Sequence, residues 1–288
     1  MILKIKVESS LEVGNLFRNI GNLRNMSNSD HNQVVFDVIH NRRSIRKFLD
    51  KDITDDTIRT LFEAGIRAPF AAQLCTIIYT RDLEKMREAG IGVYPTAPIH
   101  LIFFIDLRRL EKIMKKRGHD YGYDDMMAIW LGMQDVSLVI ENTTIAAEAL
   151  GLGSVLYGAV PVQADSISKV FDVPKRVFPV VGMSIGYPDP KEDTQIRPRF
   201  PIKYTAFEGK YHDHSDSDIQ ECISEMDEGY LAQGYYIKER TKVPLEDKVD
   251  AIDFDRYSWS EHISRKFRHT RWKGEPFLDI LRRHGFDV

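Results

Sequence analysis

The chain has 288 residues and a formal net charge of −3, from 40 lysines and arginines against 43 aspartates and glutamates. This length allows one large domain or two small ones, and the near-neutral balance argues against a dedicated nucleic-acid-binding protein. The chain has two cysteines, Cys75 and Cys222, which argues against a disulfide scaffold. The most apolar stretch, residues 97–105, is far shorter than the ~20 residues that cross a bilayer. With no signal peptide either, we predict a cytoplasmic protein without a membrane segment.

Residues 1–33 are rich in asparagine, which is poor core material, so we predict a loosely ordered N-terminal arm. An alternative hypothesis is that the natural protein starts at Met26. The pattern that follows predicts a short helix over residues 34–40, with Val35, Val38 and Ile39 on its buried side.

Further elements follow in chain order. A helix is predicted from an N-cap at Thr54 to about Arg67, where Pro69 forbids continuation. Residues 75–80 are rich in β-forming side chains. Residues 99–105 and 178–186 are continuous apolar runs, which is typical of strands buried on both faces.

The segment from Asp124 to Leu150 is the strongest helix prediction. Apolar and small side chains recur along it at alternating spacings of four and three residues, and a second apolar row runs beside them. We expect a helix with so wide an apolar surface to be buried on several sides and to contact a second subunit. Helices interleaved with strands indicate a layered domain of the α+β or α/β class.

Charge divides the chain into blocks. Residues 205–255 contain 5 basic and 14 acidic side chains, whereas residues 256–288 contain 8 basic and 4 acidic ones. We interpret residues 34–204 as the functional domain and residues 205–288 as an acidic insert followed by a C-terminal docking extension. The extension is expected to dock on a surface through five aromatic side chains, Trp259, Phe267, Trp272, Phe277 and Phe286.

Two arginine clusters are candidates for binding an anion. Residues 42–46 read Arg-Arg-Ser-Ile-Arg, and residues 197–199 read Arg-Pro-Arg. Guanidinium forks match phosphate oxygens bidentately, and a serine hydroxyl adds a donor. Each cluster alone is typical of a solvated basic turn, but together they could converge on one phosphate.

Other candidate motifs are weaker. The glycines at 151, 153 and 158 lack the strand–glycine–helix order of a dinucleotide fingerprint. Alternating His and Asp could ligate a divalent metal, but a short polar stretch is more typical of a solvated loop, so we predict no metal site. These residues are His212, His214, Asp216 and Asp218. No catalytic triad or carboxylate pair is recognisable, and we predict no catalytic side chain.

Several motifs in a fixed order resemble the FMN-dependent nitroreductase family. They cover about residues 34–204, and residues 259–286 resemble the tail of one branch of the family. The motifs are RRSIRKF at 42–48, AGIRAPFAAQ at 64–73, LGLG at 150–153 followed by Tyr157 and Gly158, and VGMSIGYP at 181–188 followed by RPR at 197–199.

The resemblance implies an α+β fold, with a central and mostly antiparallel sheet surrounded by helices. It also implies an interlocked homodimer with two FMN sites at its interface. The residues implied in FMN binding are Arg42, Arg43, Ser44, Arg46, Pro69, Phe70, Ala71, Gln73, Tyr157, Gly158, Ala159, Arg197 and Arg199.

Each group of these residues has an implied role. Residues 42–46 hold the phosphate and the polar edge of the flavin, and Arg197 and Arg199 form a second phosphate clamp. Residues 69–73 reach the flavin of the partner subunit, and residues 157–159 lie under the ring system. Phe70, Ala71 and Gln73 depart from the serine pair and the asparagine usual in the family, so the resemblance leaves open whether this segment keeps the usual flavin contacts.

The resemblance further implies a ping-pong reaction. Hydride passes from NADH or NADPH to flavin N5, and then to a nitroaromatic, a quinone or a flavin-type acceptor. Two alternatives stay open: a flavin carrier or sensor without turnover, and another reaction on the same fold, such as reductive dehalogenation. The expected partners are a second copy of the chain and a small-molecule acceptor, not nucleic acid or a membrane.

Overall fold

The structure is a computed structural model that describes residues 28–192, 194–245, 250–268 and 274–288. Most of the predicted N-terminal arm, the Met26 hypothesis and Trp272 lie outside these residues. Among the described residues, no helix combines the length and apolar character needed to cross a membrane.

Within the described ranges, the core is a four-stranded antiparallel sheet in the order β1-β2-β4-β3. Its strands are β1 (Cys75–Thr80), β2 (Ile99–Asp106), β3 (Gly153–Tyr157) and β4 (Val177–Gly186). Every residue of β2 is buried, as the continuous apolar run predicted. The α+β fold class is therefore confirmed.

Helices surround this sheet. In chain order they are α1 (Asn28–Asn41), α2 (Asp55–Gly65), α3 (Leu83–Glu88), α4 (Leu107–Lys116), α5 (Asp125–Ala149), α6 (Ala164–Val170), α7 (Asp216–Ala232), α8 (Tyr235–Glu239), α9 (Trp259–Arg268) and α10 (Gly274–Arg283). Thr54 caps α2 by accepting a hydrogen bond from Thr57 N at 3.2 Å, as predicted. The helix ends at Gly65, slightly before the predicted end.

Helix α5 packs closely against the sheet. A Cβ atom at Gly132 would lie 2.7 Å from Ile105 Cγ2, so this glycine permits the close approach of the helix to β2. The N-terminal half of α5 exposes large apolar side chains, among them Met126, Trp130 and Met133. Part of the predicted apolar surface is thus uncovered in the single chain.

The predicted buried side of α1 is wrong for the single chain. Val35 and Ile39 are 54% and 45% exposed, and Val38 is half-buried. The physical reason is placement: α1 contacts α5 rather than inserting into the core, so its apolar side chains face outward.

The C-terminal extension has its own packing and also docks on the sheet. Buried Arg265 forms hydrogen bonds with both Asp250 oxygens at 2.7 and 2.9 Å. Phe277 and Phe286 pack edge-to-face on Phe178 of β4, with centroids 5.9 and 6.0 Å away. In addition, Trp259 packs on Phe200, whereas Phe267 is largely exposed.

Both cysteines are free thiols on different elements. Cys75 starts β1 and Cys222 lies buried in α7. Burial raises the pKa of Cys75 to about 12, against the opposing effect of Arg109, and burial also raises the pKa of Cys222. Both side chains are therefore thiols rather than thiolates at neutral pH.

Candidate active site

The loop of residues 42–48 lies along the edge of the sheet. Ile45 N donates to Ser154 O of β3 at 2.9 Å, and Leu49 N donates to Tyr187 O at 2.8 Å. Gly153 is required here, because a Cβ atom at this position would overlap the Ile45 side chain. The loop is thereby held between β3 and the chain that leaves β4.

Glu192, on the chain that follows β4, holds this loop through its backbone. Its carboxylate accepts hydrogen bonds from Arg46 N at 3.2 Å and from Lys47 N at 3.0 Å. Glu192 lies five residues before Arg197 in the chain. Sequence reasoning missed Glu192, because nothing local distinguishes it from the acidic residues around it.

Two of the three guanidinium groups on this loop have no partner among the described residues, and the third has an unpaired nitrogen. The side chains of Arg42 and Arg46 have no hydrogen-bond or ion-pair partner among the described residues, whereas Arg43 donates from Nη1 to Asn41 O at 3.1 Å. Arg43 Nε is buried without a partner within the described part of the chain. A buried unpaired donor costs about 1–3 kcal/mol, so a bound anion would stabilise this arrangement.

Glu148, at the end of α5, lies in the field of these arginines. Burial raises the pKa of its carboxyl group, and the charges of Arg43 and Arg42 oppose that shift. Its Oε1 atom is also buried without a partner among the described residues. This carboxyl group therefore marks where α5 meets the arginine loop.

The two arginines of the second cluster have different surroundings. Arg197 donates from Nη1 to Gln233 Oε1 at 3.0 Å, and its guanidinium carbon lies 3.7 Å from the centre of the Tyr235 ring. Arg199 is exposed and donates to the backbone carbonyl oxygens of Arg197 and Pro198 at 3.0 and 3.1 Å. The acidic insert therefore holds Arg197, while Arg199 has no side-chain partner among the described residues.

The end of β3 offers an open backbone surface. The Tyr157 hydroxyl pairs with Ser184 Oγ and the ring stacks on Tyr94, so this side chain points toward β4. Burial raises the pKa of Tyr157 to about 12. Gly158 and Ala159 are exposed, and a Cβ atom at Gly158 would meet nothing within 4 Å. A flat ligand has room to approach here.

The segment of residues 69–73 is anchored to α5 instead. Asp135, which is 1% exposed, accepts backbone hydrogen bonds from Ala71 N at 2.5 Å, Ala72 N at 3.1 Å and Leu74 N at 2.8 Å. Sequence reasoning missed Asp135, whose signal is a carboxylate on an apolar stretch of the helix. It fixes the backbone of a segment whose side chains are otherwise exposed.

Gln73 adopts an unusual backbone conformation within this segment. Its φ angle is 54°, in the left-handed region that glycine and asparagine favour. Arg109 supports this turn by donating from Nη2 to Gln73 O at 2.6 Å. Pro69, Phe70 and Ala71 are exposed, with Phe70 at 57%.

One chain does not bring all the predicted residues together. Asp135 anchors residues 71–74 at the middle of α5, whereas Glu148 meets the arginine loop at its end. At 1.5 Å per residue, these two positions are separated by roughly 20 Å along the helix. Residues 42–46 pair with the edge strand β3, whereas residues 69–73 precede β1 at the opposite edge of the sheet.

A separate cavity of about 590 Å³ lies between α4 and the turn at residues 171–174. Its lining includes Arg108, Lys112, Lys116 and Arg117, but none of the residues predicted to bind FMN. We therefore place the candidate active site at the arginine loop and not in this cavity.

Residues 39–187 match the family model described as the nitroreductase family. The chain belongs to the nitroreductase family. An NADPH-dependent oxidoreductase of Staphylococcus haemolyticus is 30% identical over 255 residues, which cover 86% of this chain and 94% of the relative. This nitroreductase-family chain is accordingly an NAD(P)H oxidoreductase of an FMN-dependent family.

Solved structures agree with this assignment. The structure of B. megaterium NfrA2 has a TM-score of 0.73 at 27% identity, and covers 88% of this chain and 98% of its own. The NADPH:FMN oxidoreductase from Vibrio harveyi, complexed with NAD⁺, has a TM-score of 0.69 at 25% identity, with coverages of 88% and 98%.

The residues present fit FMN. A phosphate group requires cationic donors, and the arginine loop supplies unpaired guanidinium groups beside an orphaned buried Nε. A planar ring system requires open backbone, which Gly158 supplies. The exposed segment at residues 69–73 contains no side-chain hydroxyl group.

Proposed function

We propose that this enzyme oxidises NAD(P)H and reduces small organic acceptors, namely nitroaromatics, quinones or free flavins. The observation that carries the proposal is an arginine loop with unpaired guanidinium nitrogens that pairs with β3, the strand that leads into the open backbone at Gly158. FMN, when bound, supplies the hydride-accepting and hydride-donating chemistry. No acid–base side chain is needed in this proposal.

The protein's own residues bind and orient in this scheme. Arg42, Arg43 and Ser44 would hold the phosphate, and Arg46 would place a fixed positive charge at the polar edge of the flavin. Such a charge favours reduction, because it stabilises the negative charge that reduction adds. Arg197 and Arg199 would complete the phosphate clamp.

We further propose that the working unit is a homodimer. The roughly 20 Å between the anchors of residues 69–73 and the arginine loop supports a site completed by a partner subunit. The exposed apolar side chains on α1 and α5 support the same arrangement, because contiguous exposed apolar surface marks an interface.

The proposed electron donor is NADPH. The support is the NADPH dependence in the names of the Staphylococcus and Vibrio proteins. A direct comparison of NADPH with NADH tests this choice.

The decisive experiment follows the flavin spectrum of the purified enzyme without oxygen. We expect a yellow protein that NADPH bleaches, and that a nitroaromatic, a quinone or free FMN then restores over many turnovers. Initial rates at several acceptor concentrations should give parallel double-reciprocal lines, as in a ping-pong reaction. A flavin that NADPH and NADH both leave oxidised would contradict the proposal and favour a carrier or sensor.

A further inference from the structure

Two histidines and a carboxylate meet in the acidic insert, and none of them belongs to the arginine loop. His212, His214 and Asp218 each offer one ligand atom, and these atoms lie within 4.8 Å of one another. The closest recorded pair is His212 Nε2 and Asp218 Oδ2, at 3.6 Å. We propose that these three residues bind one Zn²⁺ ion, with water completing the coordination.

The orientation of His214 suits a metal ligand. Its Nε2 atom lies 3.2 Å from Tyr204 O, which can only accept a hydrogen bond. A proton on Nε2 leaves the lone pair of Nδ1 free. Metal-binding histidines commonly donate their second ring N–H to a backbone carbonyl in this way, which fixes the tautomer and the ring.

Asp218 is held in place by the N-cap of α7. Ser215 N and Ser215 Oγ donate to Asp218 Oδ2 at 2.9 and 2.8 Å. These hydrogen bonds keep the pKa of the Asp218 carboxyl group below its usual range. They orient the carboxylate and leave Oδ1 without a recorded partner among the described residues, so Oδ1 is free for an ion.

The aromatic ring of Phe207 packs against both imidazole rings of the cluster. The Phe207 ring lies 5.7 Å from the His212 ring and 5.6 Å from the His214 ring, centre to centre. His212 is exposed and Asp218 is half-buried, so an ion reaches the cluster from solvent. Two imidazole nitrogens with one carboxylate oxygen favour Zn²⁺ over Mg²⁺ and Ca²⁺, which prefer oxygen ligands.

The sequence favoured a solvated loop because the stretch showed no supporting residues. In the structure, the Tyr204 carbonyl and the Phe207 ring, which lie outside this stretch, support His214. Ser215, which lies within it, supports Asp218. An ion bound here would join the loop that precedes α7 to the first turn of the helix.

The test uses the untagged full-length protein after chelator treatment. Equilibrium dialysis against Zn²⁺ with metal analysis should give one ion per chain, and excess Mg²⁺ should not displace it. Co²⁺ bound in place of Zn²⁺ should show the visible absorption of an ion with a low coordination number. Replacing a ligand, as in His212→Ala or Asp218→Asn, should weaken Zn²⁺ binding more than about 10-fold.

Two matched controls sharpen this test. His119→Ala removes an exposed histidine elsewhere, and Cys222→Ser removes a thiol that lines the same cavity as His214. Both should bind Zn²⁺ as the unchanged protein does. The FMN content should be equal in all variants, so the result is independent of the proposed reaction.

Three outcomes would overturn the proposal. The first is less than stoichiometric Zn²⁺ in the unchanged protein. The second is equal affinity in the unchanged protein and in folded His212→Ala, whose only recorded polar contact is the one with Asp218. The third is loss of binding in Cys222→Ser, which would assign the ion to the thiol.

Discussion

Arg46 and Arg199 come from the two arginine clusters of the candidate site, and neither is held by another side chain among the described residues. Arg46 has no recorded side-chain partner within the described chain, and Arg199 contacts only backbone carbonyl oxygens. Each would add a charge-assisted contact worth roughly 1.5–3 kcal/mol to a bound phosphate. We predict that Arg46→Ala combined with Arg199→Ala weakens FMN binding by about 100-fold or more, measured by fluorescence titration.

Lys47→Ala is the control for this pair. Lys47 is an exposed cation on the same loop with no recorded side-chain contact, and its replacement changes the net charge without removing a proposed ligand. We expect near-normal FMN affinity in this variant. Unchanged affinity in the double variant would refute the phosphate assignment.

His100 gives a pH-dependent prediction. It is 1% exposed in β2, its Nδ1 lies 2.6 Å from Ser184 Oγ, and burial lowers its pKa to about 4. The unfolded chain keeps a value of about 6.5 and therefore binds more protons between these two pH values. Stability should fall as the pH drops through this window, by about 2 kcal/mol at pH 5.

The measurement is urea unfolding at pH 7.5 and at pH 5. In His100→Gln the difference in unfolding free energy between the two pH values should shrink by about 2 kcal/mol. An equal difference in both proteins would show that other groups cause the acid sensitivity.

For individual residues, the sequence revealed the arginines and glycines of the candidate site but not the carboxylates that hold their segments in place. Arg42, Arg43 and Arg46 stand in a recognisable motif. Asp135 and Glu192 do not, because each binds the backbone of a segment far away along the chain. Such contacts leave no local pattern, so they are visible only after the chain has folded.

Among the elements, those defined by local chemistry were predictable. Helix α5 begins and ends within a residue of the prediction, because the Asp124 cap and Gly151 are local signals. The burial of α1 was not predictable, because an apolar stripe shows which side is apolar and not what covers it. The strand order likewise depends on long-range pairing.

The chain that follows α10 is tied to the core by Arg176 and the buried carboxylate of Asp125. Arg176 contacts Asp125 through both terminal nitrogens and donates from Nη1 to Gly285 O at 3.0 Å. Asp125 also accepts from Asp287 N at 2.7 Å. Removing one partner leaves the other charge buried, at a cost of about 3–5 kcal/mol. We predict that Arg176→Met lowers the unfolding free energy by this amount in urea titrations and exposes α10 to proteases.

Arg282→Ala is the matched control. Its ion pair with Asp279 is exposed and joins two residues of the same helix, so its loss should cost less than about 1 kcal/mol. Equal effects of the two substitutions would contradict the role given to Arg176.

Across the whole molecule, the near-neutral net charge combines two local arginine clusters with an acidic insert. The acidic insert holds Arg197 through Gln233 and the Tyr235 ring, and Gly229 of α7 lies against Pro198. A Cβ atom at Gly229 would lie 2.7 Å from Pro198 Cγ, so α7 rests directly on the second arginine cluster. The acidic insert therefore positions Arg197, a proposed FMN ligand.

The proposed dimer is tested at Trp130, which is 64% exposed on α5. A carboxylate in the centre of an apolar interface would be buried without a partner, which is strongly unfavourable. We predict that Trp130→Asp converts the dimer to monomers in analytical ultracentrifugation and lowers its FMN content.

Ile113→Asp provides the comparison, because Ile113 is a similarly exposed apolar residue on α4. It should leave the dimer intact. A stable Trp130→Asp dimer with normal FMN content would mean that this face of α5 is not the interface.

The two free thiols have a practical consequence. Maleimide and disulfide reagents attack thiolates, and burial keeps Cys75 and Cys222 protonated at neutral pH. A cysteine introduced at an exposed position would therefore react selectively in the otherwise unchanged chain. Spin labels or fluorophores placed on α7 and on the arginine loop could then report the distance between the acidic insert and the candidate site during turnover.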